Sequence, residues 1–157
     1  MTKIQLRSIR EGEKGTYLTS LIPMAIRLSN IISLAKKEAE KSVYRFRLGA
    51  VIYRKKEIIS VGHNNPFGNC PRVLDKYKRF PTSIHAEVAA IINARTDLAG
   101  ATLVVVRLNR HGELMHSLPC VHCFSYIVYV GIKKIVYVTE TGGEIAQMKI
   151  SSSGTSL

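Results

Sequence analysis

Two short groups of residues in this chain have the types and spacing of a metal centre. The first is His85-Ala86-Glu87, and the second is Pro119-Cys120-Val121-His122-Cys123. Cys120 and Cys123 are three positions apart, so on a helix their side chains share one face and can bind a single ion. The start of a helix also favours thiolate, which is the form that binds zinc. With an imidazole nitrogen from His85, the chain offers three protein ligands, the number typical of a catalytic zinc site.

Glu87 is the residue that could make such a metal site catalytic. Two positions along a regular helix rotate a side chain by roughly 200°, so His85 and Glu87 would not lie side by side there. If His85 occupies the cap and Glu87 the first turn, the carboxylate can reach the open side of the metal without being a ligand. A carboxylate in that place can accept a proton from water and pass it on.

Other residues could complete a closed, structural zinc site instead. His122, Cys70 and His63 are the candidates for a fourth ligand beside Cys120 and Cys123. His63 and Cys70 could also contribute to a second, structural zinc site. The odd count of three cysteines argues against a secreted disulfide framework, so the spacing of Cys120 and Cys123 favours metal binding or redox chemistry over a structural role.

Helical and strand periodicities alternate along the chain, which predicts an α/β three-layer α/β/α sandwich around one sheet. The segment between the first hairpin and the second helix is a long loop, rich in glycine, asparagine and proline, of a length that is usually functional. The predicted elements are an amphipathic helix at Leu18–Lys41, a hairpin of strands at Leu48–Tyr53 and Glu57–Val61, the loop at Gly62–Thr82, helices at His85–Asp97 and Pro119–Gly131, and strands at Ala101–Leu108 and Lys134–Thr139.

Length and hydropathy bound the organisation of the chain. A length of 157 residues predicts a single domain, with residues 1–16 as a loosely ordered arm and residues 151–157 as a flexible tail. No apolar run approaches the 18 or more residues of a membrane span, and the N-terminus does not resemble a secretory signal. We therefore expect a cytoplasmic protein without a membrane partner.

The charge balance points towards phosphate. The formal net charge is +12, which attracts nucleotides and nucleic-acid backbones, although it could also be a solubilising surface. Lys76, Lys78 and Arg79 stand beside Tyr77 and Phe80 in the long loop. Basic residues next to aromatic ones suit a nucleotide phosphate or a stacked single strand equally. Arg45 and Arg47, just before the first strand, carry the same ambiguity.

The two groups together form the pattern H-x-E followed by P-C-x-x-C, and the chain resembles the zinc-dependent cytidine and deoxycytidylate deaminase superfamily. The resemblance covers roughly residues 18–140. It implies a cytidine deaminase-like fold with a mixed central sheet of about five strands. It is carried further by four segments that look like the family's strands and helix, Leu48–Ile52, Ile58–Asn64, His85–Ile92 and Gly131–Tyr137.

The resemblance implies a cofactor and a reaction. Zn²⁺ would be bound by His85, Cys120 and Cys123, and Glu87 would be the catalytic proton shuttle. Water would replace the amino group at C4 of a cytosine or C6 of an adenine, while Glu87 protonates the ring nitrogen and then the departing amine. Family analogy also assigns Asn64 to a ribose hydroxyl and the Ala86 backbone to the base, although Asn64 could simply form a turn.

We expect the substrate to be a free cytosine nucleoside or nucleotide such as dCMP, with Lys76, Lys78 and Arg79 at its phosphate. One alternative is a base within RNA or single-stranded DNA, as in a tRNA adenosine deaminase. Another is a catalytically silent zinc module that only binds nucleic acid. The resemblance further implies a homo-oligomer.

Overall fold

The computed structural model describes residues 2–9, 27–66, 83–141 and 143–152. Its elements alternate between helix and strand over most of this length, as predicted. In chain order they are β1 Thr2–Ile9, α1 Leu28–Glu40, β2 Arg47–Arg54, β3 Glu57–His63, β4 Asn65–Pro66, β5 Ser83–Ile84, α2 Ala86–Ala94, β6 Thr102–Leu108, β7 Leu114–Met115, α3 Val121–Tyr129, β8 Lys134–Val138 and β9 Ile145–Ser152.

One mixed sheet organises the molecule, with strands in the order β1-β9-β8-β6-β2-β3 and β7 beside β6. The pair β6–β8 is parallel, and the other pairs in this sheet are antiparallel. The predicted hairpin of β2 and β3 is present. The prediction of a three-layer cytidine deaminase-like sandwich is confirmed, with the edge strand β1 and the short β7 added to the expected central strands.

The sheet is buried on both faces, which explains the almost continuously apolar sequence of β6. Val104 and Val106 pack on one face in the cluster that includes Ile31 and Ala35 of α1. Leu103 and Val105 pack on the other face, in the cluster that includes residues of α2 and α3. The helices therefore lie as one layer of α1 and an opposite layer of α2 and α3.

The described parts of the two predicted terminal segments differ from the prediction. Residues 2–9 were expected in a loose arm but form β1, which pairs antiparallel with β9 over the whole of its length. Ser151 and Ser152, expected in a flexible tail, are the last residues of β9. Pairing with a distant strand supplies the backbone hydrogen bonds of both segments, and this is a tertiary effect that local periodicity does not reveal.

The helices are shorter than predicted. Arg27 is extended, with φ −76° and ψ 137°, so α1 begins at Leu28, and the predicted residues 18–26 lie outside the described part of the chain. The second helix ends at Ala94 because Arg95 adopts a left-handed conformation with φ 51°. The third begins at Val121 rather than at Pro119.

Gly62 lets strand β3 lie directly against the backbone of α2. A Cβ atom placed on Gly62 would lie 2.3 Å from the Ala90 nitrogen and 2.7 Å from the Ala86 carbonyl oxygen. Real Cβ atoms do not approach backbone so closely, so any side chain here must push α2 away from the sheet.

The substitution Gly62→Ala is therefore expected to lower the free energy of unfolding by about 1–3 kcal/mol through overpacking. Denaturant unfolding followed by circular dichroism measures this loss. Glu57→Gln, on the exposed start of the same strand, is the control and should leave stability unchanged. A Gly62→Ala protein with the unfolding midpoint of the wild type would contradict the proposed close packing.

Candidate metal centre

Two helix caps hold the predicted zinc ligands. His85 is the N-cap of α2, with φ −72° and ψ 154°, and Cys120 is the N-cap of α3, with φ −67° and ψ 165°. Cap residues have extended rather than helical backbone, so their side chains leave the helical face pattern. Cys123 lies in the first turn of α3. The expectation that His85 caps its helix and Glu87 follows in the first turn agrees with this geometry.

The three side chains converge on one point. The His85 Nδ1 atom lies 3.3 Å from the Cys123 Sγ atom and 3.8 Å from the Cys120 Sγ atom. The candidate ligand atoms of all three residues lie within 4.8 Å of one another. Zinc bonds of about 2.0–2.3 Å in a tetrahedron separate ligand atoms by roughly 3.5 Å, so the spacing fits this ion.

The two sulfur atoms also have the protonation chemistry of a metal centre. A hydrogen bond from Cys123 lowers the pKa of the Cys120 thiol to about 4. The same bond, together with burial, raises the pKa of the Cys123 thiol. A divalent ion that prefers sulfur and nitrogen ligands would favour the ionised form of both thiols.

Glu87 is a buried carboxyl group beside this centre. It is the second residue of α2 and only 2% exposed. Its Oε2 atom is buried and has no hydrogen-bond partner. Burial raises the pKa of the Glu87 carboxyl, although its own backbone N–H and the nearby His85 partly offset this. A buried oxygen without a partner costs about 1–3 kcal/mol, so we infer that a bound ligand or water completes its hydrogen bonding.

Asn64 is held close to the chain of His85 by the short pair of strands β4 and β5. Asn65 pairs with Ile84 in an antiparallel register, and continuing that register places Asn64 opposite His85. The Asn64 carboxamide accepts a hydrogen bond from the Leu48 N–H at 2.8 Å and donates one to the Phe46 carbonyl oxygen at 2.8 Å. These bonds fix its orientation and leave one N–H and one lone pair of the amide for a substrate.

Of the remaining predicted site residues, some lie in the described part of the chain and others do not. Ala86 is fully buried at the first position of α2, and its contact with the base stays a prediction. Lys76, Lys78 and Arg79 lie outside the described residues, as does Cys70.

The alternative zinc ligands do not join the centre among the residues that the structure describes. Neither His122 nor His63 belongs to the group of His85 and the two cysteines. His63 instead points its Nδ1 atom at the Glu38 Oε1 atom, 2.8 Å away.

Ser117 is a positioning residue that the sequence analysis missed. Its hydroxyl donates to the Val105 carbonyl oxygen at 2.7 Å and accepts from the Val138 N–H at 2.8 Å. These bonds tie the segment before Cys120 to both parallel strands, so they set where α3 begins. Its place three residues before a cysteine gave no signal of this, because the partners are distant in sequence.

The geometry is that of a His-Cys-Cys group that could hold a metal ion, and comparison with known proteins identifies the family. Residues 26–139 match the family model described as the cytidine and deoxycytidylate deaminase zinc-binding region. The chain belongs to this family.

The relatives agree with that assignment. The chain is 30% identical over 128 residues to a deoxycytidylate deaminase of Mycobacterium phage D29, an alignment covering 70% of this chain and 92% of the phage protein. It is also 30% identical over 98 residues to an uncharacterised deaminase of Aliivibrio fischeri, covering 60% of each. The dCMP deaminase of cyanophage S-TIM5 in apo form has a similar fold, with a TM-score of 0.53 and 23% identity over 73% of this chain and 84% of that one.

Replacing both Cys120 and Cys123 by alanine should abolish binding of one zinc ion per chain. Because metal binding also stabilises the folded state, the double variant should unfold at a lower temperature than the zinc-loaded wild type. Metal analysis after dialysis measures the first effect, and thermal unfolding measures the second. The matched control is His122→Ala, which removes a possible ligand outside the centre and should retain zinc. Full occupancy in the double cysteine variant would overturn the ligand assignment.

Proposed function

We propose that this protein hydrolytically deaminates a cytosine base, in a free nucleoside or a nucleotide such as dCMP, and releases ammonia. The observation that carries the proposal is the buried, unpartnered Oε2 atom of Glu87 beside the His85, Cys120 and Cys123 group. A purely structural metal site has no use for a carboxyl group held in this way. The relationship to a phage deoxycytidylate deaminase supports cytosine and a nucleotide as the first substrate to test.

Glu87 performs the proton transfers in the proposed reaction. Zinc in such a site lowers the pKa of water and so supplies a nucleophile at neutral pH. The Glu87 carboxylate would accept one proton of the attacking water and donate it to N3 of the ring. It would then accept the second proton, from the hydroxyl formed at C4, and pass it to the amine, which leaves as ammonia. Burial raises the pKa of this carboxyl, so it keeps a proton more readily between the two transfers.

The surrounding residues orient the substrate in this proposal. Asn64 uses the remaining donor and lone pair of its fixed carboxamide for a ribose hydroxyl, and the Ala86 backbone orients the base. Lys76, Lys78 and Arg79 hold a phosphate. We also propose that zinc is the resident metal, and that the protein is cytoplasmic and works as a homo-oligomer.

A base within RNA or single-stranded DNA is the second candidate substrate, and the net charge of +12 favours it. A silent zinc module that only binds nucleic acid is a third possibility, against which the buried Glu87 argues. An ammonia-release screen separates the three. Its substrates are cytidine, deoxycytidine, their phosphates, guanine, adenosine and a tRNA anticodon stem-loop. Release from dCMP is expected; release only from the stem-loop would favour the second candidate, and none at all the third.

Glu87→Ala should retain zinc and the fold but lose activity. The carboxyl is not one of the grouped ligand residues, and alanine is a strong helix former, so neither metal binding nor helix α2 depends on it. The loss should be about 10²–10⁴-fold or more, because one group serves several proton transfers. Turnover, metal content and thermal unfolding are measured on the same preparation.

Glu87→Gln is the matched control, since it keeps the shape of the side chain but cannot carry the proton. It should be as inactive as the alanine variant while filling the same space. More than about a tenth of wild-type turnover in either zinc-loaded variant would refute the shuttle role. Loss of zinc in both would make Glu87 a ligand.

A further inference from the structure

Arg107 lies on the same face of the sheet as the metal centre. Strand β6 alternates its side chains, and Val105 belongs to the apolar cluster that contains Cys123 and Ala86. Arg107 follows two residues later on that face, about 7 Å further along the strand. Arg107 is therefore the next side chain on this face after the apolar cluster. It lies at the end of β6 from which the chain leads to α3.

The Arg107 guanidinium has no protein acceptor among the described residues. Its Cζ atom lies 4.3 Å from the centre of the Phe46 ring, and its Nε atom is buried without a hydrogen-bond partner. Stacking on an aromatic ring fixes the plane of the guanidinium but satisfies none of its five N–H donors. A partly buried arginine with unused donors is suited to receive an oxygen-rich anion.

A second arginine approaches the same ring. The Arg45 Cζ atom lies 5.5 Å from the centre of Phe46, whose side chain is 47% exposed. In the described part of the chain no carboxylate forms an ion pair with Arg45 or Arg107. Two like charges held near one ring repel each other, and this repulsion is relieved when an anion binds between them.

We call Arg45, Phe46 and Arg107 the arginine cluster. A hydrogen bond joins it to Asn64, the candidate substrate contact. Asn64 donates its side-chain N–H to the Phe46 carbonyl oxygen at 2.8 Å. Asn64 and His85 are the residues next to the Asn65–Ile84 pair, at the end of the short ladder of β4 and β5. A ligand that reaches Asn64 from the metal centre therefore has the arginine cluster immediately beyond it.

We propose that the arginine cluster, and not Lys76, Lys78 and Arg79 alone, binds the phosphate group of the ligand whose base is presented to Glu87. For the placement of that base, the proposal rests on the proposed function. Arg107 donates a pair of N–H groups to two phosphate oxygens, Phe46 holds the guanidinium plane, and Arg45 adds the second positive charge. The phosphate belongs either to a free nucleotide or to the backbone of a single strand, and the same contacts serve both.

Calorimetric titration of zinc-loaded Glu87→Gln protein tests the site without turnover. The probes are dCMP, deoxycytidine and a short oligodeoxycytidylate. Adding Arg107→Gln should raise the dissociation constant for a phosphate-bearing probe roughly tenfold to a hundredfold and leave that for deoxycytidine unchanged. Phe46→Leu preserves net charge and apolar character but removes the ring, and should weaken the same probe by about twofold to tenfold.

Lys56→Gln, in the exposed turn between β2 and β3 at the other end of these strands, removes one charge and is the matched control that should change nothing. Weaker dCMP binding assigns the site to a free nucleotide, and weaker binding of the oligomer alone assigns it to a strand. Equal effects of Arg107→Gln and Lys56→Gln, or an equal loss for deoxycytidine, would overturn the proposal. Absence of ammonia release from the wild type would overturn the proposed function instead, because these titrations record binding alone.

Discussion

Strands β3, β6 and β8 run in the same direction, and the position of the metal centre depends on this constraint. Strands β3 and β6 are both antiparallel to β2, which lies between them, and β6 is parallel to β8. A helix that follows such a strand returns across the sheet, so α2 and α3 both begin at the carboxyl ends of these strands. Two helix caps far apart in sequence are thereby placed side by side, and the histidine and cysteines converge.

Two carboxyl groups are buried among the residues that the structure describes, and they show what the site requires. Burial raises the pKa of Glu38, but hydrogen bonds from Lys41 and His63 outweigh it, so the net pKa is lowered. That carboxylate is a satisfied structural group that joins α1 to the end of β3. Glu87 differs from Glu38 in two ways. Its Oε2 atom has no hydrogen-bond partner, and burial raises the pKa of its carboxyl. A fold that pairs one buried carboxylate fully and leaves the other incomplete reserves the second for a ligand.

The site was more predictable from the sequence than the ends of the fold. His85, Glu87, Cys120 and Cys123 are chemically unusual residues at fixed spacings near helix starts, so local patterns reveal them. Strand β1 depends on pairing with β9, some 140 residues away, and its own sequence is too short a pattern to predict that partner. The roles of Ser117 and Arg107 were not predicted for the same reason, since they depend on neighbours that only the folded chain brings together.

The structure also separates arginines that hydrogen-bond to the backbone from arginines that do not, a distinction that the composition could not make. Arg47 donates to the Asn109 carbonyl oxygen at 2.8 Å, and Arg54 donates to the Asp97 and Ala99 carbonyl oxygens. Both side chains therefore stabilise loops by hydrogen bonds to the backbone. Arg45 and Arg107 have only an aromatic ring as a described partner. A solubilising surface would not need a guanidinium with a buried Nε atom, because charge dissolves a protein best when it is fully hydrated. Among the basic residues that the structure describes, it is Arg107, on the face of the metal centre, that has a buried guanidinium nitrogen without a hydrogen-bond partner.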